Sequence, residues 1–505
     1  MTATYLATQL RASGGRVTLV ESAEIPIIGV GEATVPPLVG YLRVLGISEE
    51  KFMREAHATY KLGIKFIDWH RGNDSFWHAF GPVGGTIDGL QLFHFWLRSL
   101  QAGNAEGTYT SYSIQALLGD QGKAPRQFTA SSPPYDRGQY AYQLDAHAFA
   151  KFLQAEGVQR GTRHIVDDVT DVVVDERGFI RHITTKGSGT LTADLYIDCT
   201  GFRGMLIERA LHDGWEDWSN VLLCDRAVAA PTPHAGDESM HPYTKSTALS
   251  AGWAWRIPLS TRVGNGYVYS SKFLDDDAAV EEFARHLNVD PSVLPLRPLK
   301  MRVGRRRNFW LGNCIAVGLS SGFVEPLEST GIFVIQRSLA LLMTYFPDMG
   351  FDSSLIRRYN ERMVATYEEI RDFIVLHYIL TRRTDTEFWR AYPKIDISDE
   401  LAAQLELYRR SGRIEPATYA MFPEPSWYSI LAGHHHLPST YNRGADLSDA
   451  TKVRHILAAI RSGNDEIARH MPLHSEFIKR LNNRQTTEPQ RAGLSGILPG
   501  AVSGI

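Results

Sequence analysis

Three times in this chain a short apolar run of strand-like composition leads into small residues, and no other feature restricts the fold as much. Arg16 to Glu21 (RVTLVE) precedes Gly29-Val30-Gly31-Glu32-Ala33-Thr34, and Leu191 to Asp198 (LTADLYID) meets Cys199-Thr200-Gly201-Phe202-Arg203-Gly204. Cys314 to Leu319 (CIAVGL) meets Ser320-Ser321-Gly322. Small residues after a strand allow close backbone approach, as nucleotide phosphates require. Elements so far apart predict a nucleotide-binding sheet assembled from separated segments, with other structure inserted between them.

Residues 1–12 carry Ala, Leu and Tyr at helical spacing and stop at Gly14-Gly15, and Arg16 to Glu21 then reads as a buried strand. In a dinucleotide-binding fold an acid at that strand end accepts the ribose hydroxyls, which makes Glu21 a candidate ligand. The first strand and G-x-G-x-x-G turn of such a fold come before its first helix, whereas this chain begins inside the helix. The expectation is a late start or a domain lacking its central strand. Gly29 to Thr34 also reads as a tight turn before a helix opened by Thr34, Pro36 and Pro37. A further helix is expected from the Pro326–Ile332 stretch to about Phe346. Beyond Ser353 the spacing is mostly helical, over Leu355–Thr381, Ser398–Arg410 (Ser398 as N-cap, Asp399 and Glu400 in the first turn) and Ser448–Leu481. The last twenty-odd residues, rich in Gly, Pro, Ser and Gln, read as a disordered tail. The division expected is 1–350, 351–482 and 483–505.

Charge and cysteine usage narrow the function classes. With 53 basic against 56 acidic side chains and a net charge of -3, nothing would neutralise a nucleic-acid backbone. Cys199, Cys224 and Cys314 lie too far apart for a zinc motif or a disulfide framework. No apolar run reaches membrane-spanning length, and the first residues lack a secretory pattern, so a cytoplasmic protein without membrane contact is expected. His434-His435-His436 cannot easily converge on one ion, so no metal is expected.

Gly252-Trp253-Ala254-Trp255-Arg256-Ile257-Pro258 sharpens the reading. Two tryptophans at i and i+2 share one face of a strand, which by itself describes a core pair. As W-x-W-x-I-P, the segment resembles the signature of the flavin-dependent tryptophan halogenases, and Gly29–Thr34 and Pro326–Ile332 resemble the same family in order and spacing. The similarity runs from residue 1 to about 480. It implies an α/β fold: a doubly wound, Rossmann-like FAD domain of the flavin monooxygenase type, an inserted β-sheet region and a mostly helical C-terminal part. It also implies that FADH2, dioxygen and chloride or bromide yield hypohalous acid, the flavin performing the hard step.

The same resemblance implies the site. Lys61, in Thr59-Tyr60-Lys61-Leu62-Gly63, would carry or polarise the hypohalous acid, with Lys65 the neighbour most easily confused with it. Glu328 would be the catalytic carboxylate, with Glu325 the nearby decoy. Thr330 and Gly331 would hold the halide at a helix N-terminus. His78, Phe80, Ile64 and Phe422 would contact an indole ring, and Trp253 and Trp255 would separate flavin from substrate. Cofactor contacts fall to Glu21, Gly29, Val30, Gly31, Ala33, Thr34, Gly318, Gly331 and Ile332.

Two departures from the family pattern bear on function. The Gly-rich turn is absent, as in an N-terminally truncated member. The stretch from Arg413 to Pro425 (RIEPATYAMFPEP) is also short where tryptophan-specific members grip the amino acid. The reading is an FADH2-dependent halogenase acting on an indole-like arene, supplied by a separate flavin reductase and compatible with a homodimer. The rivals are a flavin monooxygenase that hydroxylates its substrate and a non-catalytic flavin-binding protein.

Overall fold

A computed structural model describes residues 1–24, 31–127, 139–293, 298–417 and 420–483. Gly29, Val30 and the proposed tail from residue 484 lie outside them. The first expected helix forms as Thr2–Gln9, and Gly14 closes the turn after it at φ 75°, a left-handed conformation that suits glycine. Thr18–Glu21 follows as a strand parallel to Arg163–Val166. It is half-buried and exposed rather than buried, because among the described residues it pairs on one edge only.

The second and third glycine-associated strands do come together. Tyr196–Asp198 lies parallel to Cys314–Ala316, which pairs in turn with Trp310–Leu311. The LTADLYID segment is divided: Gly189–Leu191 ends a separate antiparallel sheet, and only Tyr196–Asp198 joins the nucleotide-type sheet. Asp198 ties that strand end to its loop, its carboxylate accepting from the Thr200, Leu206 and Ile207 amides and the Ser320 hydroxyl.

The inserted region is a seven-stranded mixed sheet. Its order is Leu299–Lys300, Arg226–Thr232, Val263–Tyr269, Gly252–Pro258, Thr244–Ala248, Gly63–Ile67 and Ser75–Ala79. The two-tryptophan strand is therefore central, with Trp255 opposite Gly266. A Cβ on Gly266 would sit 2.0 Å from Trp255 Cζ2, so the bare glycine makes room for the indole. A three-stranded sheet, Glu32–Ala33, Ala141–Leu144 and Thr59–Lys61, carries Lys61.

Helices cover these sheets. Ser353–Ile379 is the longest, and Tyr359, Met363, Tyr367, Ile370, Ile374 and His377 form its buried three-four stripe. The apolar cluster it joins runs from Leu6 to Leu457, across the expected boundary at residue 350. Ser398 caps Asp399–Ser411 as expected, accepting from the Leu401 amide. The expected helix at 448–481 is instead two, Ala450–His470 and His474–Asn483. Pro472 lies between them, has no N–H to continue the ladder and disfavours helix at the residue before it.

Candidate active site

Strand pairing carries Lys61 inward. It pairs with Ala141, and its side chain is fully buried. Its Nζ donates to Ser329 Oγ at 2.8 Å and lies 5.3 Å from the Phe80 ring centroid. Burial lowers its pKa to about 7, with Glu328 and Glu32 opposing the shift. Lys65 sits differently: it is partly exposed and ion-paired to Asp120 at 2.6 Å. Of the two lysines, only Lys61 has an ammonium desolvated beside a second catalytic-type group.

That group is Glu328. Pro326–Glu328 forms a single tight turn, Ser329 follows at φ 59°, and the helix Gly331–Thr344 starts after Thr330. A left-handed serine is uncommon and costs about 1–3 kcal/mol. Here its hydroxyl meets Lys61, while the Glu328 carboxylate meets two imidazoles. Glu328 Oε2 lies 2.8 Å from His78 Nδ1, and Oε1 lies 2.8 Å from His377 Nε2. Burial would raise this carboxyl, but the two imidazoles outweigh it and hold the pKa at about 2. Glu325 is equally buried and accepts from the Tyr378 hydroxyl, yet burial pushes its carboxyl up to about 7. Near neutral pH Glu328 is thus the ionised carboxylate of the pair.

Rings gather beside these groups. His78 stands opposite Ile64 across the pairing of Ser75–Ala79 with Gly63–Ile67, so the two share a face. Phe422 stacks on Phe373 at 3.8 Å between centroids and lies 6.2 Å from the His78 ring. The Glu369 carboxylate fixes this loop by accepting from the Met421 and Phe422 amides at 3.1 and 3.0 Å. His78, Ile64 and Phe422 thus form one neighbourhood, and Phe80 joins it through Lys61. Trp253 and Trp255 lie 6.2 Å apart in the same seven-stranded sheet as His78 and Ile64, both buried.

A flavin requires open backbone and a ribose acceptor, and several residues meet that need. Gly331 is exposed at the head of its helix, Thr330 makes no side-chain cap there, and the first-turn N–H groups therefore remain open to an anion. Ile332 follows in that turn, partly buried. Gly318, at φ 69°, opens the loop after Cys314–Ala316. Glu21 ends its strand half-exposed, its carboxylate 2.7 Å from His164 Nε2 and 2.9 Å from Gln154 Nε2. These residues fit FAD. Gly31, Ala33 and Thr34 do not open toward it in the same way. Gly31 packs on Gly264 and Ile257, Ala33 pairs with Gln143, and the Thr34 hydroxyl bonds the Tyr142 backbone in both directions. These three shape the wall rather than present free polar groups.

Sequence reasoning missed Ser329 as the lysine's partner, and His377 and Glu369 entirely. Ser329 carried a signal, because it follows Glu328 directly. His377 and Glu369 sit on a helix whose periodicity marks only its apolar stripe. Nothing local distinguishes their partners, which are 49 and 53 residues away.

The chain is similar over nearly its whole length to known proteins. The tryptophan halogenase family model matches residues 1–450. Tryptophan 7-halogenase RebH from Lentzea aerocolonigenes is 36% identical over 519 residues, which cover 96% of this chain and 97% of RebH. Tryptophan 6-halogenase ThaL from Streptomyces albogriseolus is 34% identical, with 95% and 96% covered. The structure of BrvH, a flavin-dependent halogenase from Brevundimonas sp. BAL3, matches with a TM-score of 0.89 at 36% identity, over 95% of this chain and 96% of that one.

Proposed function

We propose a substrate and a set of residue roles for this chain, which belongs to the tryptophan halogenase family and is an FADH2-dependent halogenase. The substrate is an indole-like arene, and Lys61 and Glu328 are the groups that act on it. One observation carries the reading: the buried Lys61 ammonium is held by Ser329, the residue directly after the equally buried Glu328.

Bound FAD supplies, from its reduced form with dioxygen and halide, the electrophilic halogen as hypohalous acid. Thr330, Gly331 and Ile332 would line the halide and flavin side, with Gly318 and Glu21 on the rest of the cofactor. Trp253 and Trp255 would wall that compartment from the arene. His78, Phe80, Ile64 and Phe422 would set which ring carbon faces Lys61.

Lys61 holds the hypohalous acid by donating to its oxygen. As the ring carbon bonds the halogen, the halogen–oxygen bond breaks and the Lys61 proton goes to that oxygen, giving water. The ring, now cationic, is stabilised by the Glu328 carboxylate and loses its proton to it. Passing that proton to the neutral Lys61 amine restores both groups. The sum is arene plus hypohalous acid to haloarene plus water. A separate reductase would supply FADH2.

The test is a reaction with reductase, indole and either chloride or bromide. Haloindole whose yield tracks halide supports the reading. Hydroxyindole formed without halide would replace it with the monooxygenase.

A further inference from the structure

The contacts around Glu328 impose a proton count. His377 lies one helical turn after Phe373, and its Nδ1 is 2.7 Å from the Phe373 carbonyl. A carbonyl only accepts, so Nδ1 carries a proton. Nε2 is 2.8 Å from Glu328 Oε1, and two bare lone pairs do not face each other at that distance, so a second proton lies between them. Either the imidazole owns it and is cationic, or the carboxyl owns it and is neutral. Glu328 Oε2 lies 2.8 Å from His78 Nδ1, and that imidazole lowers the carboxyl as well, which favours the carboxylate.

We infer that His377 is a positioning residue held as an imidazolium, which together with His78 keeps the buried Glu328 ionised. Three other glutamates of this chain supply the comparison. Burial pushes Glu32, Glu325 and Glu369 up to about 7, each without an imidazole hydrogen bond to its carboxylate. Glu328 is as buried as Glu325 and more buried than Glu32 and Glu369, and it differs by its two imidazoles. His78 is the larger source of the lowering, and His377 adds to it through its hydrogen bond and its charge; the remaining groups around His377 supply none. The Phe66 and Trp69 rings pack 5.1 and 6.3 Å from it. His434 is pushed well below the usual imidazole range by burial and by His377, His70, His436 and His435, so it stays neutral. Lys61 interacts with Glu328 and gives up its own charge readily.

The consequence for turnover rests on the reading that Glu328 takes the ring proton. A halogenated ring cation is a very strong acid, so its acceptor need not be a strong base, but it must be ionised. His377 adds to His78 in securing that ionisation, and without it the carboxyl would move up, toward the range of the other three.

His377→Phe keeps a ring against Phe66 and Trp69, and His377→Gln keeps one neutral donor toward Oε1. Single-turnover rates with pre-reduced flavin at saturating indole are the readout. Wild type should show no acid limb from Glu328 above pH 5. His377→Phe should lose about tenfold per pH unit below a midpoint raised above that of wild type, as one titrating group requires, with KM for indole changing less than the rate and His377→Gln lying between. Nitrogen NMR on resting enzyme labelled with 15N-histidine, the His377 signals assigned by their loss in His377→Gln, should show both ring nitrogens protonated at pH 7. A wild-type acid profile in folded His377→Phe, or a singly protonated His377 in wild type, overturns the inference. Unchanged turnover in Glu328→Gln would instead defeat the role of Glu328, while the spectrum still judges the proton.

Discussion

Desolvation sets Lys61 apart from Lys65, four residues along and ion-paired at the surface. Lys61→Ala should abolish halogenation while reduced flavin still consumes dioxygen, and Lys65→Ala should keep most activity; equal loss in two folded variants would remove the assignment. The lowered Lys61 pKa gives a pH signature with a definite sign. If the ammonium is needed, the rate should fall as pH rises through about 7, and in Lys61→Ala no residual rate should follow that limb. Between about 7 and 10.5 the unfolded chain keeps this proton and the folded chain does not, so the lysine's cost to stability is full below that window and fades across it. Lys61→Met should therefore melt no lower than wild type at pH 6 by calorimetry. For Glu328→Gln, which keeps size and removes charge, turnover should fall by about 10²-fold with indole still bound. Lys61 and Glu328 were legible in the sequence because motifs flank them. Ser329 and His377 were not, because their roles come from partners brought by other segments.

Among the elements, the strand Gly252–Pro258 has the most demanding packing. Trp255 occupies the space over Gly266, and Gly266→Ala would bring a methyl into the ring. Such overpacking costs about 1–3 kcal/mol. The variant should melt lower and, with the indole displaced, form less haloindole per dioxygen consumed; an unchanged melting point would refute the packing. Element type was read well where periodicity ran long, as in Ser353–Ile379 and in the Ser398-capped helix. It was read less well where neighbours decide. LTADLYID alternates throughout but is divided between two sheets. The expected helix at 448–481 breaks at Pro472, which its apolar spacing concealed.

For the molecule as a whole, a nucleotide-type sheet in pieces with a second sheet inserted was legible from the glycine-associated strands, of which the second and third pair while Thr18–Glu21 pairs with Arg163–Val166 in a separate sheet. The pairing of that inserted sheet was not, because Gly63–Ile67 joins Thr244–Ala248 across most of the intervening chain. Substrate choice belongs to this scale too, since it depends on how the C-terminal part closes over the site. Arg413 and Glu415 pair with each other at 3.2 Å, both more than half exposed, rather than pointing into the ring cluster. Indole should accordingly have a higher kcat/KM than free tryptophan, whose zwitterion would be desolvated without partners; a clear preference for tryptophan would reverse this. The parallel join between Gly63–Ile67 and Thr244–Ala248 has a last consequence, for biosynthesis. Parallel pairings of such sequence separation close late and slowly. On the ribosome the lysine strand emerges early, yet Glu328 and Phe422 emerge only after several hundred further residues. Much apolar strand surface must then wait unpaired, and the yield of active enzyme should respond to chaperone supply and growth temperature more than to the amount of message.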